Sequence, residues 1–177
     1  MTTSHFPALF VSLTLTLTGC SGGPAPAAGP PTDPSPLAVT QGVRAVYQVS
    51  GDRWKQGLGR GLFYLRKLAK VYPSLGVAPD ERSLVAVLHG AAGYWALDDR
   101  AYAAWEGSRQ ERSAANPNKA LIQELLAVGV RVELCASTMA QAGWTEDDLL
   151  AGVEVVPAAY PRVIDLQLQG YAHIVFD

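Results

Sequence analysis

The sequence predicts an α/β fold, a parallel sheet with helices on both faces, and three observations carry that expectation. From about Thr40 to the C-terminus, apolar runs of strand length alternate with segments of helical periodicity. Two of the runs, VAVL (Val85–Leu88) and VEVV (Val153–Val156), fit strands buried on both sides of a sheet. The 177 residues, 49% hydrophobic and 17% charged, are sized for one domain with a core of its own.

The chain opens differently. Phe6 to Leu17 (FPALFVSLTLTL) is apolar but shorter than the about 20 residues a membrane-spanning helix needs, and its length suits the core of a secretory signal. No Lys or Arg precedes it. It runs into Leu17-Thr18-Gly19-Cys20, which resembles the lipobox of bacterial lipoproteins: a leucine, two small residues, then the cysteine that is lipidated. Residues 1–20 are therefore expected to be a signal peptide with a lipobox and Cys20 the lipidation site. The protein would be exported and anchored to a bacterial membrane by its N-terminal lipid, facing the periplasm or the cell exterior. An ordinary cleaved signal or a frayed hydrophobic tail is the alternative. Ser21 to Pro36 is too rich in proline and glycine to build a core, so 21–39 is expected to be a solvated tether and 40–177 the α/β domain.

Within the domain, Arg44 to Ser50 (RAVYQVS) is the first expected strand. Arg53 to Tyr72 puts Trp54, Leu58, Leu62, Leu65, Leu68 and Tyr72 on one helical face, although Gly57, Gly59 and Gly61 weaken its first turns. Pro73 and Gly76 end it, and Ser83 to Leu88 is the second strand. Leu97 to Ser113 reads as a less regular helix. Asn116-Pro117 looks like a cap and first turn, and the stripe Leu121, Ile122, Leu125, Leu126 continues that helix to Gly129. Val130 to Leu134 is the third strand, followed by a helix from Ala136 that breaks at Gly143. Thr145 and Asp148 have capping-box spacing for a further short helix. Val153 to Val156, a helix over Tyr160 to Gln169, and a last strand over Ala172 to Phe176 complete a set of five strands.

Parallel α/β sheets collect ligands and reactive groups beyond the carboxyl ends of their strands. That edge holds Gln48 to Ser50, His89 with Gly90, Cys135, and Pro157, of which only Cys135 and His89 have reactive side chains. With Cys20 lipidated, Cys135 is the one thiol of an exported chain, so no internal disulfide can form. It sits just before a helix N-terminus, where unpaired N–H groups and the helix dipole stabilise a thiolate. Free cysteine is also among the most buried residue types, so an inert packing role is the rival reading. His89 could polarise or deprotonate the thiol, or only hydrogen-bond nearby backbone. Ser137 and Thr138 could offer hydroxyls to an anion at the helix start, or act as caps; Asn116 and Asn118 read as structural.

Other chemistries find no footing. A net charge of -2 and the lack of any basic run argue against a nucleic-acid partner. There is no phosphate loop, no dinucleotide fingerprint after the first strand, and no C-x-x-C pair. Of the other histidines, His5 lies in the signal and His173 in the last strand, so no metal site is expected, and no organic cofactor is implied.

Taken in order, VAVLHG, NPNKALIQELLAVGVRVELCASTM and GVEVVPAAYPRVIDLQLQGYAHI resemble the DsrE/DsrF-like family from about Val43 to Phe176. The most specific parts are Leu-x-x-x-Gly-Val-x-Val-x-x-Cys ending at Cys135 and Leu-Gln-x-x-Gly-Tyr over Leu166 to Tyr171. The resemblance implies a three-layer α/β/α domain on a five-stranded parallel sheet, assembled into homo-oligomers, trimers or hexamers. It also implies sulfur relay: in the relay members the cysteine matched by Cys135 carries sulfane sulfur as a persulfide between a donor and an acceptor protein. The expected function is therefore a sulfurtransferase-like persulfide carrier working through Cys135; assistance by His89 is expected from its place at the same sheet edge, not from the resemblance. The alternative is a non-catalytic oligomeric lipoprotein, or a small-ligand binding module with Cys135 buried.

Overall fold

A computed structural model describes residues 37–107 and 113–177. The signal segment, Cys20 and the tether as far as Pro36 lie outside the described residues. Five parallel strands form one sheet: β1 (Val43–Val49), β4 (Arg82–Leu88), β5 (Arg131–Cys135), β6 (Glu154–Val156) and β7 (Ala172–Phe176). Their order is β6-β5-β4-β1-β7, so the chain steps outward from β1 and then returns to the opposite edge.

The alternation of side chains along each strand creates two cores. On one face Ala45, Tyr47, Val49, Leu84, Ala86, Leu88, Val132 and Leu134 pack against α1 (Arg60–Val71) and α3 (Lys119–Ala127). On the other, Val46, Val85, Val87 and Cys135 pack against Ala159, Val163 and Leu166 of α5 (Ala159–Leu168). The result is a parallel sheet with helices on both faces, as the alternating pattern predicts, in the three-layer α/β/α arrangement that the resemblance implies. Cys135 belongs to the face covered by α5. Among the described residues no helix is long and apolar enough to cross a membrane.

Three stretches depart from expectation. The helix expected from Arg53 begins only at Arg60, because residues 54–59 form a hairpin of β2 (Trp54–Lys55) and β3 (Leu58–Gly59). Its two-residue turn sets both Gln56 and Gly57 at positive φ, 55° and 74°, the backbone of a primed hairpin turn that glycine tolerates and a helix forbids. Gly59 follows from packing: a Cβ there would lie 2.6 Å from the Trp95 ring. Trp54 and Leu58 still reach the core, Trp54 meeting Trp95 edge to face at 5.9 Å.

The helix expected over Leu97 to Ser113 shrinks to α2 (Asp99–Ala104), capped by Asp98 accepting from the Ala101 N–H. It follows a 3-10 segment, Gly90–Ala96, whose last five residues are buried. Residues 108–112 lie outside the described residues. Asn116 caps a turn ahead of α3 rather than the helix itself: its side-chain oxygen accepts from the Asn118 N–H at 2.9 Å and its carbonyl from Lys119. The Thr145–Asp148 box forms as expected, the Asp148 carboxylate accepting from the Thr145 N–H and hydroxyl around the turn Glu146–Asp148.

Candidate functional site

Cys135 is the last residue of β5 and the cap residue of α4 (Ala136–Ala142). Its partner on the neighbouring strand is Val156, just before the loop leading into α5. The thiol thus lies where two helices start. Backbone N–H groups of Ser137 and Thr138 from α4 and of Ala159 from α5 point at the sulfur, joined by the Thr138 hydroxyl. Burial is the largest single influence and pushes the thiol up; the four donors together outweigh it and hold Cys135 below its ordinary value. The residue is 5% exposed and is the free cysteine among the described residues.

Thr138 ties this sulfur to the segment that leaves β4. Its hydroxyl oxygen accepts from the Gly90 N–H at 3.0 Å, leaving its proton for the sulfur. The Ser137 side chain is exposed, and the residue meets the thiol through its backbone. Beside Thr138 opens a cleft of about 500 Å³ lined by Asp52, Gly90, Ala91, Thr138, Gln141 and Trp144, among others. It sits at the carboxyl edge of the sheet, where the fold places ligands.

His89 follows Leu88, and Leu88 pairs with Leu134, so His89 and Cys135 are the next residues on adjacent strands. Parallel strands run about 4.8 Å apart, which puts the two residues at adjacent strand ends on the same face of the sheet. They are not bonded to each other. The His89 Nε2 lies 3.1 Å from the amide nitrogen of Gln48, and its ring meets Tyr160 edge-on at 5.3 Å. Burial lowers the His89 pKa. His89 Nε2 is thus engaged by Gln48 rather than by the thiol.

The neutral, buried His89 has a consequence for pH. In the unfolded chain a histidine titrates near 6.5, so below that value the unfolded state binds a proton that folded His89 refuses. Stability is thus complete above about pH 6.5 and falls as pH drops through it. We expect the urea midpoint to fall from about pH 7 to about pH 5, with a smaller fall in His89→Asn. An identical fall in that variant would remove His89 as the cause.

Two parts of the site carry no sequence signal. Ala159 contributes through its backbone alone, and only the β6–α5 loop geometry reveals it. Glu133, 0% exposed, lies two residues before Cys135 on the same face and receives a bidentate grip from Arg162 of α5 at 2.7 and 2.8 Å. Their spacing of 29 residues gave no pattern to read. Among the described residues no cluster of three or more metal-ligating side chains occurs.

No curated protein matches the chain. A protein of unknown function, MTH1491, from Methanobacterium thermoautotrophicum has a similar fold, with 20% identity, 75% of this chain and 98% of that chain covered, and a TM-score of 0.52. The ychN protein from E. coli matches over 76% of this chain and all of its own, at 18% identity and a TM-score of 0.46. The sequence profile of the DsrE/DsrF-like family matches residues 65–176, which span β4 to β7 and include His89, Cys135 and Ala159. The chain belongs to the DsrE/DsrF-like family.

Proposed function

We propose that the protein is a sulfurtransferase-like relay protein that carries sulfane sulfur as a persulfide on Cys135. One observation carries the reading: three backbone N–H groups and a hydroxyl, from the starts of two helices, converge on the Cys135 sulfur. Such a cradle stabilises the thiolate, the nucleophilic form, and does so without a cationic side chain. The thiolate attacks the outer sulfur of a donor persulfide. A new S–S bond forms on Cys135, the donor's S–S bond breaks, and the donor leaves as a thiolate, so one sulfane sulfur moves with no net oxidation. An acceptor thiolate reverses these events.

The exported setting belongs to the same proposal. The lipobox ending at Cys20 supports a lipid-anchored domain, 40–177, held on the tether 21–39 and facing the periplasm or the cell exterior. Metabolic labelling with a radioactive fatty acid tests it, and label retained in Cys20→Ser would reject it. Assembly into trimers or hexamers is supported by α5, whose Tyr160, Ile164 and Leu168 form an exposed apolar stripe at helical spacing. Light scattering that returned a monomer would reject assembly.

Burial of Cys135 and the cleft beside Thr138 favour a second reading, a small-ligand binding module with an inert thiol. Thiol alkylation separates the two in the full chain carrying Cys20→Ser, where Cys135 is the one cysteine. A carrier reacts with iodoacetamide in the native state, with an inflection below that of free cysteine. A thiol that stays silent until urea unfolds the chain supports the binding module.

A further inference from the structure

Gln48 stands on β1 between two histidines. Its amide nitrogen is 3.1 Å from His89 Nε2 on one side, and its amide oxygen is 2.8 Å from His173 Nε2 on the other. The residue is 9% exposed and His89 7%, so solvent contributes little to the His89 end of the bridge. An amide nitrogen only donates and an amide oxygen only accepts. His89 Nε2 must then be a bare lone pair, with the ring proton on Nδ1, while His173 Nε2 must carry a proton.

We infer that Gln48 is a positioning residue that fixes His89 as the neutral Nδ1–H tautomer beside Cys135. The inference rests on the proposed role of Cys135 only for its functional meaning; the tautomer follows from the bridge with the Gln48 amide nitrogen on the His89 side. A cationic His89 would carry a proton on Nε2 and face the amide nitrogen donor to donor. The amide would have to flip, and it would then turn its N–H groups on His173 Nε2. As the bridge stands, the His173 Nε2–H donates to the amide oxygen and the amide N–H donates to His89 Nε2, an arrangement that only a neutral His89 satisfies.

The groups facing His89 agree with this. They are Tyr160 from α5, the Cys135 thiol on the adjacent strand and, through Gln48, His173 from β7. None is a carboxylate that would favour the imidazolium. His89 therefore presents an uncharged ring at this edge, and the thiolate leans on helix N–H groups instead of an imidazolium partner. His89 contributes a neutral ring whose one proton, on Nδ1, is a hydrogen-bond donor.

Long-range ¹⁵N–¹H spectroscopy of the histidine rings in the full chain carrying Cys20→Ser reads this directly. The parent should show His89 protonated on Nδ1 and bare on Nε2 at neutral pH, and His173 protonated on Nε2. In Gln48→Glu, which offers oxygen to both rings, His89 should move its proton to Nε2 and titrate at higher pH. The alkylation of Cys135 should then gain a second inflection on the pH axis, which a merely structural role for Gln48 would not produce. An Nε2–H tautomer in the parent, or a His89 signal unmoved in Gln48→Glu, overturns the inference. The parent spectrum decides even if the variant fails to fold. A Cys135 that refuses sulfur while the tautomer stands rejects the carrier reading and leaves the Gln48 assignment intact.

Discussion

Replacing Arg162 with leucine is expected to destabilise the domain by about 3–5 kcal/mol, the cost of leaving a buried charge without its partner. Glu133 is fully buried, and Arg162 supplies its two short contacts at 2.7 and 2.8 Å. Arg131 approaches only to 3.8 Å and is itself 39% exposed, so it offers weak compensation. Removing both charges together should recover most of the loss, because an apolar pair of similar volume avoids desolvating either ion. Urea denaturation of Arg162→Leu and of Glu133→Leu/Arg162→Leu measures both values. A double variant as unstable as the single would contradict this account.

The same pair bears on the thiol. Arg162 lies one turn into α5, whose first N–H, that of Ala159, points at the Cys135 sulfur. Glu133 is two residues from Cys135 along β5. The ion pair thus clamps the start of α5 onto the strand that presents the sulfur. Arg162→Leu should slow alkylation of Cys135 at neutral pH as well as weaken the fold. The two effects share one cause, the loosened docking of α5.

Asn116→Leu is the second large effect, a loss of about 3 kcal/mol. The Asn116 amide donates to the carbonyls of Trp95 and Leu97 at 2.8 and 2.6 Å, and its oxygen accepts from the Asn118 N–H. The residue is 4% exposed. Leucine would leave two carbonyls and an N–H buried without partners, each costing about 1–3 kcal/mol before the chain relaxes. Asn116→Asp keeps the shape but cannot donate, and its charge would face Asp99, whose carboxylate accepts from the Asn116 N–H. It should therefore be no more stable than the leucine variant. An aspartate variant of parental stability would show that the two carbonyl contacts contribute nothing.

Much of the fold was legible because its strands advertise themselves. SLVAVL is continuous enough to mark a buried strand, whereas VEVV, expected to be buried on both sides, forms the edge strand β6 with Glu154 exposed and Val156 buried; Gly129 and Gly143 mark helix ends that the backbone confirms at φ 80° and 75°. The hairpin over 54–59 was not legible. Trp54 and Leu58 fit a helical face as well as they fit a hairpin, and packing of Gly59 against Trp95 decides the matter. At the site, Cys135 and its helix start can be read from ELCAST alone. Ala159 cannot, because a backbone donor has no residue type, and Gln48 cannot, because its meaning depends on the rings that the sheet brings to either side.

The most direct test is intact-mass spectrometry of the full chain carrying Cys20→Ser after exposure to inorganic polysulfide, beside the same chain with Cys135→Ser. The persulfide account predicts a mass gain of one sulfur, or a short run of them, on the first protein, reversed by a reducing thiol and absent from the second. An unmodified mass, or an equal gain on both proteins, would contradict it.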